Sequence, residues 1–248
     1  MRPLLFCFGF TNYKRVQLKL NDVFADYKPV QDTTIAPIVV SNHTSWADMF
    51  FYLGHKVSFL SKESVAHTLL LGWHAITRQS IFLNREDQKD RDKVLHLIRD
   101  RAKRVKENND IYPLLIFPEG TCSNGRNLMS FKKGAFFTGD PIKIFVLQYN
   151  NEFEIISSIA NINPAFALIL TLLQIRNHLT LYEYSDHFDP NYSLNKAGLT
   201  IENEDAWKAV AADVKTLMSF ISGFTSTEDT FRELLAFEAQ SPKAKHIY

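Results

Sequence analysis

The sequence predicts an α/β fold: a single domain with a central, mostly parallel or mixed sheet flanked by helices. Three observations predict it. Short apolar runs that stop abruptly at polar residues, such as Ile35 to Val40 and Pro113 to Phe117, read as buried strands. Between such runs lie segments with three- and four-residue apolar spacing, so strands alternate with helices along the chain. At 248 residues, with 46% hydrophobic and 22% charged content, the chain can bury one large core.

Leu4 to Phe10 follows Arg2 and mimics the start of a signal peptide. The run is short, however, and passes into Asn12-Tyr13-Lys14-Arg15 without a small-residue cleavage site. Val16 to Leu20 alternates strictly and reads as a half-exposed strand; residues 22 to 34 read as loop. Ile35 to Val40 is the first buried strand, Trp46 to Leu53 a helix and Val57 to Leu60 a short strand. Lys62 to Thr77 reads as one helix whose Leu69, Leu70, Leu71 and Trp73 give an apolar, membrane-near surface, and Ser80 to Leu83 as a strand. Asn84, with acids at positions 86 and 87, starts the next helix. In it Val94, Leu97, Ile98, Ala102 and Val105 form the apolar stripe, and the helix stops near Asn108-Asn109. Its basic face, Arg91, Lys93, Arg101, Lys103, Arg104 and Lys106, suits solvent or an anionic lipid or phosphate.

Strands at Pro113 to Phe117, Ile142 to Tyr149, Glu154 to Ile159 and His178 to Tyr184 follow. The apolar segment from Pro164 to Ile175 is 12 residues long, too short for a membrane span, and reads as a core helix. Trp207, Val210, Val214, Leu217 and Ile221 mark a helix closed by Gly223; Thr227 to Ala239 is a last short helix. This gives an apolar, membrane-proximal segment at 1–34, the functional domain at 35–240 and a loose tail at 241–248.

A net charge of +1 and a pI near 7.8 provide no field to recruit nucleic acid, so no nucleic-acid partner is expected. Cys7 and Cys122 form no disulfide framework and no zinc motif, which fits a reducing, cytosol-facing site. No metal and no resident cofactor are expected: P-loop, Rossmann glycine pattern, G-x-S-x-G, H-E-x-x-H and EF-hand loop are all absent from the sequence. The 20 Phe exceed what a core requires and hint at a lipid-facing surface.

The chemistry is placed at Val40-Ser41-Asn42-His43-Thr44-Ser45-Trp46-Ala47-Asp48, where a buried strand delivers a histidine to its rim. Residues i and i+5 of a helix diverge by about 140°, so His43 and Asp48 meet only across a turn, which Asn42, Thr44 and Ser45 favour. A carboxylate on one imidazole nitrogen fixes the tautomer and leaves the other to take a proton. His43 is therefore the candidate general base and Asp48 its orienter. The bland alternative is a rim histidine beside a helix-capping aspartate. Two further strand ends present polar groups, Asn84-Arg85 and Phe117-Pro118-Glu119-Gly120-Thr121, and ligands of α/β sheets gather at strand ends.

The ordered set H-x4-D, an apolar strand ending in Arg, and F-P-E-G-T resembles the glycerolipid acyltransferase family, and in detail its lysophosphatidylcholine acyltransferase branch. The likeness rests on His43 and Asp48, Ile81 to Arg85, Phe117 to Asn124, Phe131 to Phe136 and Leu172 to Asn177. It implies transfer of a fatty acyl group from acyl-CoA, as co-substrate, to the free hydroxyl of a lysophospholipid such as lysophosphatidylcholine. It also implies a membrane-associated enzyme facing the cytosol, with the endoplasmic reticulum as the expected membrane. On this resemblance Asn84 and Arg85 meet the acceptor phosphate, and Glu119 holds Arg85 or an acceptor hydroxyl. Gly120 and Thr121 complete an anion pocket through their amides, and Lys132 touches a CoA phosphate. Cys122 reads as a packed thiol with no basic partner, so transfer is expected to be direct, without a covalent enzyme intermediate. Ile144 stands where the family's fourth motif carries a second proline, and the chain begins where relatives have already passed hydrophobic membrane segments. Two other classes share these residues: an inactive lipid-binding or scaffold relative, and an acyl-CoA hydrolase that uses water in place of the acceptor.

Overall fold

The computed structural model describes residues 10–29, 35–45, 48–83, 88–108, 110–123, 125–149 and 177–226. Its strands are β1 (Phe10–Leu18), β2 (Ile38–Ser41), β3 (Ser58–Lys62), β4 (Ile81–Leu83), β5 (Leu114–Ile116), β6 (Asn127–Leu128), β7 (Ile142–Tyr149), β8 (Asn177–Tyr184) and β9 (Thr225–Ser226). Seven of them form one sheet in the order β1-β8-β7-β2-β5-β3-β4, and β6 pairs with β9 apart from it. Every neighbouring pair in the large sheet is parallel except β7 and β8. The α-helices are α1 (Asp48–Phe51), α2 (Glu63–Ala66), α3 (Leu69–Thr77), α4 (Gln88–Glu107), α5 (Pro190–Ala197) and α6 (Ala206–Ser222).

Strand β2 lies at the centre of this sheet and is buried on both faces, as its unbroken apolar run requires. Successive side chains of a strand point to opposite faces. Accordingly Ile38 and Val40 pack with Ile98 and Ala102 of α4 and Val210 and Val214 of α6. Val39 packs on the other side with Phe51, Tyr52, Phe59 and Leu115. Burying a side chain of this size stabilises the fold by about 1.5–3 kcal/mol.

Several boundaries differ from the sequence reading. The first strand begins at Phe10 and ends at Leu18, because parallel pairing with β8 carries it through the less regular stretch before Val16. Leu20 instead opens a one-turn 3-10 helix. Since β1 belongs to the same sheet, part of the expected N-terminal segment is built into the domain. The helix expected over 62–77 is two, α2 and α3, separated at His67 and Thr68; Thr68 is extended and leads into α3. In α4 the inward stripe is Ile98, Arg101, Ala102 and Val105, while Leu97 is 44% exposed. Arg101, expected on the solvated basic face, is buried because its guanidinium bridges Ser58 Oγ (3.2 Å), Tyr112 O (3.4 Å) and Gln79 O. Helix α5 went unread in the sequence, although Asp189 caps it, Pro190 opens it and Gly198 closes it. The expected strand at 154–159, the apolar segment at 164–175, the helix at 227–239 and the tail lie outside the described residues.

Candidate active site

The C-terminal ends of β2, β5 and β7 converge where the sheet hands its chain to loops. After Ser41 the ladder between β2 and β7 is continued by a side chain. Asn42 Oδ1 accepts the Leu147 N–H at 2.8 Å, and Asn42 Nδ2 donates to Leu147 O, also at 2.8 Å. The polar rim is thus satisfied although Asn42 is fully buried. Ser41 Oγ shares a 2.5 Å hydrogen bond with Tyr52 OH.

His43 follows, and the turn that its chemistry needs is present. Asp48, at the start of α1, turns its carboxylate back across 44–45: Oδ2 accepts from Thr44 N (2.7 Å) and Ser45 N (3.0 Å) and faces His43 Nδ1 at 2.9 Å. One carboxylate thus holds both the turn amides and the imidazole. Its other oxygen, Oδ1, accepts from the Tyr149 hydroxyl at the end of β7. With Asp48 fully buried and Nδ1 engaged, Nε2 is the nitrogen left to exchange a proton.

The loop after β5 forms the other wall. The Phe117 ring stacks on His43 with centroids 4.0 Å apart and planes 13° from parallel. Glu119, 1% exposed, accepts the His43 N–H through Oε1 and the Met129 N–H through Oε2, each at 3.1 Å. The carboxylate at the mouth of the strand therefore braces the backbone of the histidine. Ser123 N donates to His43 O at 2.7 Å, so the loop grips His43 from both backbone sides. Gly120 adopts φ +73° and its amide donates to Phe117 O at 3.0 Å, closing the turn. That N–H is spent within the turn, which corrects its expected place in an anion pocket.

Cys122 requires a second correction. Its Sγ lies 3.3 Å from His43 Nε2, so the thiol expected to have no basic partner faces the one free nitrogen of the candidate base. The sequence could not show this, because the two residues are 79 positions apart.

The electrostatics follow from these contacts. For His43 burial is the largest influence and disfavours charge, but Cys122 and the hydrogen-bonded Asp48 outweigh it and push the imidazole up to about 10. Glu119 is pushed up to about 7 by burial, with the amides of Met129 and His43 pulling the other way. Burial and Asp48 raise the Tyr149 phenol well above its ordinary value, so it remains a donor to that carboxylate.

Of the other expected residues, Thr121 sits partly exposed beside Cys122. Lys132 is exposed, donates its backbone N–H to Pro118 O at 2.9 Å, and lays its side chain over Gly120. Asn84 and Arg85 lie outside the described residues. Sequence reasoning missed Asn42, Phe117 and Tyr149 as parts of the site. Asn42 and Phe117 were visible as polar and aromatic residues at strand ends, but only the sheet order brings Tyr149 to Asp48.

Residues 28–144 match the Acyltransferase family. The chain is 29% identical over 244 residues to lysophosphatidylcholine acyltransferase 1 of Danio rerio, covering 98% of this chain and 43% of that protein. It is 38% identical over 151 residues to lysophospholipid acyltransferase LPEAT2 of Arabidopsis thaliana, covering 60% of this chain and 25% of that one. The chain thus spans less than half the length of these curated relatives. The crystal structure of the 1-acyl-sn-glycerophosphate acyltransferase PlsC from Thermotoga maritima superposes with a TM-score of 0.51 at 19% identity, over 91% of this chain and 78% of that one, which shows a shared fold. The sequence matches agree: residues 28–144 carry the Acyltransferase match, and over most of its length the chain is similar to the lysophosphatidylcholine acyltransferase branch of the glycerolipid acyltransferases.

Proposed function

We propose that the protein transfers a fatty acyl group from acyl-CoA to the free hydroxyl of a lysophospholipid, with a lysophosphatidylcholine-like acceptor, in phospholipid synthesis or remodelling. The observation that carries this reading is His43 Nδ1 held at 2.9 Å by a fully buried Asp48, with Nε2 left for the reacting proton. A lipid hydroxyl is a poor nucleophile until a positioned base removes its proton. His43, in its neutral form, takes that proton through Nε2 as the oxygen attacks the thioester carbonyl. The C–S bond breaks, and the leaving thiolate recovers the proton from His43. Asp48, Tyr149 and the Glu119 brace keep the imidazole in place throughout. The chemistry uses acyl-CoA as co-substrate and calls on no metal or resident cofactor.

Arg85 and Asn84 are proposed to receive the acceptor phosphate, and Lys132, reaching over Gly120, a phosphate of CoA. Both substrates are amphiphiles, so we place the reaction at the cytosolic face of a membrane, the endoplasmic reticulum being the expected one. Trp73 and Ile76 on α3, 70% and 57% exposed, support lipid contact. Among the described residues no helix is long and apolar enough to cross a membrane.

The test is CoA release by the purified protein in lipid micelles with acyl-CoA, across a panel of lysophospholipids, beside His43→Gln. Release that requires a lysolipid and falls at least ~10²-fold in the variant supports the transferase. Release that ignores the acceptor would point to the hydrolase, and lipid binding without release to the scaffold.

A further inference from the structure

The feature that direct transfer leaves unused is the thiol at the free nitrogen of His43. Cys122 Sγ at 3.3 Å from Nε2, with Nδ1 on Asp48 at 2.9 Å, is a nucleophile, a base and an orienting carboxylate in hydrogen-bonding sequence. That arrangement activates a thiol for covalent catalysis. It is also built. Ser123 N–H on His43 O fixes the loop next to Cys122, and the left-handed Gly120 turn with Glu119 fixes it on the other side.

We propose that Cys122 is an acyl-accepting residue of this site: its thiol takes the acyl group from the thioester donor, and the lysophospholipid hydroxyl then discharges it. This rests on the acyl-transfer reading above. In the first step the thiol proton moves to His43 Nε2 and Sγ attacks the donor carbonyl. The donor C–S bond breaks, and the CoA thiolate leaves with the proton from His43. One thioester is exchanged for another, so no energy source is required. In the second step His43 takes the proton of the lipid hydroxyl and the oxygen attacks the acyl-Cys122 carbonyl. The C–S bond to Cys122 breaks, and the sulfur recovers the proton.

The electrostatics of His43 support this order. Cys122 is the foremost influence raising its proton affinity. Acylation also takes the thiol proton away from the contact with Nε2, so that nitrogen is open to the hydroxyl proton in the second step.

The test uses the full-length protein with palmitoyl-CoA, acid-quenched and analysed by intact mass and peptide mapping, first without acceptor and then with added lysophosphatidylcholine. The expected result is one acyl group on Cys122 rather than on Cys7, the only other cysteine. It should be lost to the lipid product on the chase, absent in Cys122→Ala, and formed on the order of 10²-fold more slowly in His43→Gln. Acceptor-dependent CoA release with no acyl on Cys122, and an unchanged rate in Cys122→Ala, would overturn the proposal while leaving the transferase intact. An acyl-Cys122 that no lysolipid discharges would overturn the second step. Neither acylation nor release with any lysolipid would remove both this proposal and the reading beneath it.

Discussion

Asn42 hydrogen-bonds the backbone of Leu147 as though it were one more residue of β2, giving and receiving at 2.8 Å in a fully buried setting. Removing the amide strands a buried N–H and a buried C=O at once, each costing about 1–3 kcal/mol. Asn42→Ala is expected to destabilise the protein by about 2–4 kcal/mol in urea unfolding. Because His43 is the next residue, acyl transfer should fall well beyond the fraction unfolded.

Asp48 satisfies four donors from one carboxylate: His43, Thr44, Ser45 and Tyr149. Asp48→Asn keeps the shape but turns an amide toward one of those donors and allows the wrong imidazole tautomer. The expected loss in kcat is on the order of 10²–10⁴-fold with KM little changed. Circular dichroism should remain that of the native protein. An equal loss in Tyr149→Phe would show that the phenol orients Asp48 as strongly as the turn amides do.

Gly120 occupies φ +73°, where a side chain is strained by about 1–2 kcal/mol. A Cβ there would also lie 2.5 Å from Lys132 Nζ. Lys132 is flexible and exposed, so the backbone sets the larger part of the cost. Gly120→Ala should lower stability by about 1–2 kcal/mol, and adding Lys132→Ala to it should recover only a small part.

His43 carries a pH signature whose sign is fixed. Its folded value of about 10 lies above the ordinary 6.5, so the folded protein binds this proton more tightly than the unfolded chain does. The resulting stability is fully present below about pH 6.5 and is lost as pH rises through about 10. Denaturant midpoints measured at pH 8 and pH 10 should therefore drop further in the wild type than in His43→Gln. That window lies above the range in which Glu119, pushed to about 7, gives up its proton.

The strands that end at the site and the pairing of His43 with Asp48 were legible because each is local. Apolar runs ending at Val40 and Phe117 announce strand ends, and Asn42, Thr44 and Ser45 announce a turn between His43 and Asp48. What the sequence did not yield is set by distance along the chain. Cys122 reaches His43 across 79 positions and Tyr149 reaches Asp48 across 101, through a strand order that no local pattern records. Arg101 misled for a different reason: a long cation on a periodic basic stripe reads as solvated, yet its carbonyl partners draw it inward. The Glu119 bonds to His43 N and Met129 N were equally hidden, since backbone amides leave no mark in sequence.

The central position of β2 bears on how the site is made. Its two neighbours are β5 and β7, so Ile38 waits for Leu114 on one side and Ile142 on the other. Contacts between such distant segments are slow, because long loops must close before the pairing stabilises anything. A chain synthesised only as far as α4 holds the histidine and the aspartate just beyond a strand that has neither partner. The reactive imidazole and thiol thus meet only once β5 and the loop after it have been made. In refolding, transferase activity should return together with the global tertiary signal and show no earlier phase of its own.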